Sequence, residues 1–349
     1  MAYSAIVKPS VYFNTKLYTG NGSTQSITGV GFQPDMVWTK SRGNDNNHNI
    51  YDAVRGATKR VFTNSNSAES TVSTTLTSFD SDGFSLGSQD NVNANGITMA
   101  SWNWKGNGAG SANTDGTLNS TVSVNTTAGF SVVKYTGNGN NTTVGHGLGT
   151  APGMVIIKRL NSTGAWPVWH SKPASINEIV ELNSTGAQQS GSSYFNNSAT
   201  TSSVFPLGTS GDVNASGGTY IAYCFAEKKG YSRISFYTGD GNANGPFIYT
   251  GFKPAFFITK RTDAGAGWQM YDSKRDVDNP ADHRLQAQSS AVELVGDANT
   301  DIDFLSNGFN LRNGDSDSNA SGGTYIYIAF AEEPLVANSG TDGVPATAR

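Results

Sequence analysis

Along much of the chain, apolar and polar residues alternate in short runs. Ile221, Tyr223 and Phe225 share one side of such a run, Ile326, Ile328 and Phe330 another, and Ala100, Trp102 and Trp104 a third. Side chains alternate across a strand, so this period of two, with the bulk on one side, predicts strands that each bury one large apolar face. Gly, Asn, Asp and Ser interrupt the runs about every eight to twelve residues, the spacing of antiparallel sandwiches and barrels. No apolar run approaches the roughly 18 residues of a membrane-spanning helix, so no membrane insertion is expected.

The runs recur in a fixed order. Residues 18–22 and 135–139 read YTGNG, and residues 237–241 read YTGDG. Each is followed by a Gly/Pro turn and an apolar strand that ends in lysine: GFQPDMVWTK from Gly31, GTAPGMVIIK from Gly149 and GFKPAFFITK from Gly251. A third block reads HNIYD from His48, WPVWH from Trp166 and WQMYD from Trp268. A fourth reads NANGITMASWNW from Asn93, NASGGTYIAYCF from Asn214 and NASGGTYIYIAF from Asn319. Four matching blocks in the same order define an internal repeat, and the lysines Lys40, Lys158 and Lys260 set its offsets at 118 and 102 residues. The expected fold is therefore all-β, three tandem β-sandwich domains at residues 1–107, 130–230 and 231–336. Residues 108–129, rich in Gly, Ser, Asn and Thr, read as a linker, and residues 337–349 as a flexible tail. Superposing the copies should align the three lysines, and also Trp104, Phe225 and Phe330.

Composition supports this class. Charged residues make up 14% of the 349, against roughly 25% in an ordinary soluble domain, and there are 41 glycines. Helix formers are sparse, which disfavours bundles, coiled coils and doubly wound α/β enzymes. The net charge of −4 offers no basic footprint for a nucleic-acid backbone. Cys224 is the single cysteine, so an internal disulfide framework and a Cys-based zinc site are both excluded. The opening MAYSAIVKPSVYF has no basic segment followed by a long apolar run, so no secretory signal is expected there.

Taken whole, the MAYSAIVKPSVYFNTKLYTGNG opening, the GFQPDMVWTK and AFAEEP blocks and the SFDSDGFSLGS segment at residues 78–88 resemble repeat-containing virion structural proteins of marine bacteriophages. The resemblance runs from Tyr12 to about Val336. It implies a tail-fibre or other virion-surface location, other virion proteins as partners, and a homo-oligomer, with a homotrimer favoured because virion fibres are commonly trimeric. It carries no catalytic residue and no cofactor.

Candidate chemistry is thin. The four histidines, His48, His146, His170 and His283, sit in no metal-protease motif, and there is no nucleophile elbow or phosphate loop. Where one copy has His48 or His170, the others hold Trp or Asp, which argues against a catalytic position. GNGAGS at Gly106 has the look of a phosphate loop, but no helical segment follows it. Asp80/Asp82 and Asp315/Asp317 are carboxylate pairs in Gly/Ser-rich turns. Asp315, Asp317 and Asn319 echo the start of a calcium loop, although Ala320 and Ile326 stand where its Gly and acidic residue belong; the competing reading is an Asx turn before the last strand. A D-x-x-R pattern, Asp52/Arg55 and Asp272/Arg275, reads as a local ion pair, and copy two has His170 and Pro173 there.

Aromatic residues are the better functional candidates. Trp166 and Trp268 head short strands in equivalent places, with His48 in the third, and an exposed indole stacks on sugar rings and anchors interfaces. These three are taken as a binding surface, with burial in the core as the alternative. Tyr220, Tyr325 and Tyr327 lie on the strand face opposite the core face and are taken as interface positions. The expected function is a non-enzymatic virion protein of tail-fibre or adhesin type that presents a host-contact surface. A capsid decoration protein, or a lectin-like module that binds host surface glycan, is the alternative, with a depolymerase behind both.

Overall fold

The computed structural model describes residues 4, 6–172 and 177–335, and the tail at 337–349 lies outside them. The chain is all-β. Among the described residues, its α-helical segments are single turns of four residues, such as Gly211–Asn214 and Ser316–Asn319.

All three copies share one topology, as the repeat requires. Copy one builds a sheet in the order Phe13–Thr19, Thr98–Trp104, Met36–Ser41, Asn49–Asp52, Lys59–Phe62, Ser70–Thr71. Copy three repeats its first five members as Ser232–Thr238, Thr324–Pro334, Phe252–Arg261, Trp268–Asp272 and Leu285–Gln286. Copy two does the same with Phe130–Thr136, Thr219–Phe225, Met154–Arg159, Pro167–His170, Glu178–Glu181 and Gln189–Ser190. Over the outer face of each large sheet lies a small one. It is formed by Gln25–Thr28 with Gly83–Leu86 and Leu76–Asp80, by Thr142–Gly145 with Val204–Leu207, and by Phe247–Tyr249 with Gly308–Leu311 and Ile302–Leu305.

The repeated blocks meet where the chain enters and leaves each copy. Asn93, Asn214 and Asn319, all buried, accept a hydrogen bond from the backbone N–H of Asn21, Asn138 and Asp240, and donate to the carbonyls of Gly87, Gly208 and Asn313. The glycine of each YTG string passes against that turn. A Cβ on Gly20, Gly137 or Gly239 would stand 2.2, 2.6 or 2.4 Å from the carbonyl oxygen of Ala94, Ala215 or Ala320. Close backbone approach is why glycine recurs there.

Each copy has its own outer core between the large and small sheets, for example Val37, Tyr51, Phe84 and Leu86 in copy one. The inner faces of the three large sheets do more than tandem sandwiches require: they close on one another and form a single central core. Trp104, Phe225 and Phe330, equivalent in sequence, converge there. Their ring centroids are 6.3 Å apart for Trp104–Phe225, 5.6 Å for Trp104–Phe330 and 5.9 Å for Phe225–Phe330. They mark a pseudo-threefold axis through one chain.

Two expectations need correction. Residues 108–129 are not a free linker, because Ser111–Asn113 and Ser120–Asn125 join the edge of the copy-two sheet beside Phe130–Thr136. The alternation Val122, Val124 with Ser and Thr suits an edge strand, and ladder pairing prevails over a loop-like composition. Tyr220, Tyr325 and Tyr327 are not interface positions: all are buried beneath the small sheets of copies two and three. The small sheet supplies the cover that a second subunit was expected to provide, so these tyrosines give no reason for a trimer.

Candidate functional site

The three residues taken as a binding surface, His48, Trp166 and Trp268, occupy equivalent strand positions and are all fully buried. Each indole reaches into the preceding copy. Trp166 Nε1 donates to the carbonyls of Phe62 and Ser65 in copy one, at 2.9 and 3.1 Å. Trp268 Nε1 donates to the Glu181 carbonyl in copy two at 2.9 Å. His48 faces the backbone of Gln286, the matching position in copy three, while its Nδ1 accepts from Trp38 Nε1 at 3.0 Å. Burial holds its pKa well below the usual histidine range, so it is a neutral acceptor. The two indoles fasten copy two to copy one and copy three to copy two, while His48 Nε2 makes no hydrogen bond among the described residues. All three rings are core, and the expected binding surface is corrected.

Four positions further along the same strands, a second set of contacts runs the other way. Asp52 and Arg55 form a fully buried ion pair, and Asp52 Oδ2 accepts from the Tyr223 hydroxyl of copy two at 2.8 Å. Asp272 and Arg275 do the same in copy three, and Asp272 Oδ2 accepts from Trp102 Nε1 of copy one at 3.0 Å. His170 fills the place in copy two, with Nε2 3.3 Å from the Tyr327 carbonyl of copy three. Pro173 lies outside the described residues. The D-x-x-R pattern is therefore a local ion pair, as expected, and also a clasp on the neighbouring copy.

The repeated lysines complete the joints. Lys158 Nζ donates to the Asn66 carbonyl of copy one at 2.9 Å, and Lys260 Nζ to the Thr185 carbonyl of copy two at 3.3 Å. Lys40 donates within its own copy, to Ser41 and Asn44. Burial lowers all three to about 8. Cys224 is buried beneath the copy-two outer sheet, and burial pushes its thiol upward, away from thiolate chemistry.

Of the two readings of Asp315, Asp317 and Asn319, the hydrogen bonds show the geometry of the Asx turn. Asp315 Oδ1 caps the short helix by accepting from the Asp317 N–H, and Asn319 uses both ends of its amide to hold the 240–242 and 313 backbone. This is the Asx turn. Asp80 accepts from Ser78 and Ser85, and Asp82 from the N–H groups of Gly29 and Gly31, so that carboxylate pair is likewise turn chemistry. A cluster that sequence spacing does not flag brings Asp276, Asp282 and His283 within 4.8 Å of one another. Its groups already serve the loop: Asp276 Oδ2 accepts from the Asp282 N–H, and His283 Nδ1 lies 2.7 Å from the Arg275 carbonyl.

What the structure exposes instead is aromatic surface on copy three: Phe236 on its opening strand, and a pair of rings on its small sheet. Phe247 and Tyr249 are 46% and 50% exposed on the small outer sheet, either side of the buried Ile248. Ile248 pairs with Phe309, as Ile27 pairs with Phe84 and Val144 with Phe205. That register equates Phe247 with Ser26 and Thr143, and Tyr249 with Thr28 and Gly145. Copies one and two thus show small or polar residues where copy three shows two aromatic faces. Aligning the copies on the Ile27, Val144 and Ile248 strands would have found the pair from sequence.

The chain belongs to the family described as a domain of unknown function, DUF7483, whose profile matches residues 8–334 and so spans all three copies. No curated protein matches the chain.

Proposed function

We propose that this chain is a non-enzymatic structural protein of a bacteriophage virion, of tail-fibre or adhesin type, and that its third copy carries the host-contact surface. The virion assignment rests on the sequence resemblance described above. The observation that carries the contact surface is the exposed pair Phe247 and Tyr249, present on one of the three small sheets that occupy equivalent places in the copies. Exposed aromatic faces stack on sugar rings and anchor interfaces at low entropic cost. The buried ion pairs, indoles and lysines that would otherwise suggest chemistry hold the three copies as one body. A rigid body with weak contact sites suits multivalent attachment, where many copies on a particle add their affinities.

The test replaces Phe247 and Tyr249 by the copy-one residues, Phe247→Ser with Tyr249→Thr. Adsorption of purified protein to host cells should fall at least tenfold, with an unchanged melting temperature. Unchanged adsorption would remove the contact surface from these rings. Shortened host envelope glycans after incubation with the wild type would overturn the non-enzymatic reading.

A further inference from the structure

The pseudo-threefold arrangement creates three equivalent grooves, each between the Gly/Pro turn of one copy and the opening strand of the next. Their contents differ. Between copies one and two, the groove is filled by the chain's own segment. Asp35 accepts from the N–H groups of Gly106 and Gly108 at 2.7 and 3.0 Å, and Ser123 Oγ accepts from Asn107 N–H at 2.7 Å. The strand Ser120–Asn125 then pairs along Phe130–Thr136, with Ser123 opposite Val132.

Between copies two and three, a cavity of about 480 Å3 lies beside Gly153 and Ile234. There the sheet edge is blunted from within. The outward N–H of Ser232 donates to the Lys228 carbonyl, and that of Ile234 to a Glu227 carboxylate oxygen at 3.0 Å. Charged groups folded onto an edge are a usual guard against strand addition.

The third groove, between copies three and one, is lined by Ser10 and by the charged Lys274, Glu332 and Glu333, but among the described residues no strand fills it and none of these charged groups bonds the sheet edge. Its cavity, about 210 Å3, is lined by Phe13, Asn14, Thr15, Ala255 and Glu332 among others. Tyr12 accepts from Lys105 N–H, so alternate residues of Phe13–Thr19 face the sheet and the backbone of Phe13, Thr15 and Leu17 faces outward. Among the described residues, Phe13–Thr19 pairs with Thr98–Trp104 alone. Thr15 is 5% exposed, lines the cavity, and its hydroxyl has no hydrogen-bond partner. Buried polar groups are nearly always satisfied, so an unpaired hydroxyl beside unpaired outward amides marks a place where a partner belongs.

We infer that the edge Phe13–Thr19 accepts an extended strand from a partner protein, added antiparallel as Ser120–Asn125 is added to the matching edge of copy two. The molecule itself displays the chemistry of the occupant: small hydroxyl residues alternating with β-branched ones, as in Ser120–Asn125. Thr15 stands where Val132 stands, and the residue opposite it takes the place of Ser123, whose hydroxyl size suits hydrogen bonding to Thr15. Main-chain pairing supplies affinity in such strand addition and alternate side chains supply selectivity.

The probe is a synthetic peptide of residues 106–125 titrated into the full chain and followed by calorimetry and amide hydrogen exchange. Saturable binding at one site is expected, with slowed exchange at Phe13, Thr15 and Leu17. Thr15→Pro deletes an outward N–H without touching the internal ladder and should weaken binding at least tenfold, while Ile234→Pro on the guarded edge should leave it unchanged. If Thr15→Pro does not fold, Leu17→Pro tests the same edge, and the exchange pattern of the wild type stands without any variant. No saturable binding at about 1 mM peptide, near the weak end of specific recognition, would overturn the inference. So would protection that maps to Ser232–Thr238. A wild-type dimer that Thr15→Pro converts to monomer would assign the edge to a second copy and overturn the partner strand.

Discussion

The clasp between copies one and two lends itself to a double-mutant cycle. Asp52 and Arg55 are both fully buried, and Tyr223 of copy two donates its hydroxyl to the same carboxylate at 2.8 Å. A hydrogen bond to a charged group contributes roughly 1.5–3 kcal/mol, and one between neutral groups about 0.5–1.5. Tyr223→Phe, which keeps the ring in the central core, should therefore cost about 2 kcal/mol. Asp52→Asn leaves Arg55 with Glu69 at 3.1 Å and the Ile50 carbonyl at 2.9 Å, so its cost should fall at the low end of the roughly 3–5 kcal/mol typical of a broken buried pair. In the Asp52→Asn background the tyrosine hydroxyl faces a neutral amide, and its removal should cost only about 1 kcal/mol. The expected coupling is about 1 kcal/mol, readable from urea unfolding at constant m. A Tyr223→Phe cost below about 0.5 kcal/mol, or equal costs in both backgrounds, would refute the clasp as a joint between copies.

Because the three copies share one core, the chain should unfold in a single cooperative transition, and fluorescence and far-ultraviolet dichroism melts that separate would count against this. Trp166→Ala should destabilise by about 3–5 kcal/mol, the usual cost of emptying a buried indole site, and a folded, stable variant with lost adsorption would contradict its burial. Stability should also rise with pH above about 8. Burial lowers Lys40, Lys158 and Lys260 from 10.5 to about 8, so between those values the unfolded chain holds more protons than the folded one. Above about pH 10 the trend should reverse, since burial raises Tyr51 and Tyr327 to about 12 and the unfolded chain loses those protons first. Replacing the three lysines by Met should flatten the rising limb of a urea-midpoint profile; an unchanged profile would show that they do not cause it.

The all-β class, the order of blocks and the equivalence of the copies were legible along the chain, because strand alternation is local and a repeat announces itself by spacing. The inner faces of the closing strands, Ala100 to Trp104, Ile221 to Phe225 and Ile326 to Phe330, were legible for the same reason. Alternation says which side of a strand is apolar and is silent on what covers it. Trp166, Trp268 and Tyr220 therefore carried the same local signal whether they met solvent, another subunit or another part of the same chain. Only tertiary structure decided that question, by closing three large sheets on Trp104, Phe225 and Phe330 and laying a small sheet over each outer face. The same holds for the edges. Phe13–Thr19, Phe130–Thr136 and Ser232–Thr238 are alike in pattern, and only the fold leaves one without a second strand among the described residues, one guarded by Glu227 and one covered by Ser120–Asn125, because an edge is defined by what lies beside it and not by its own alternation.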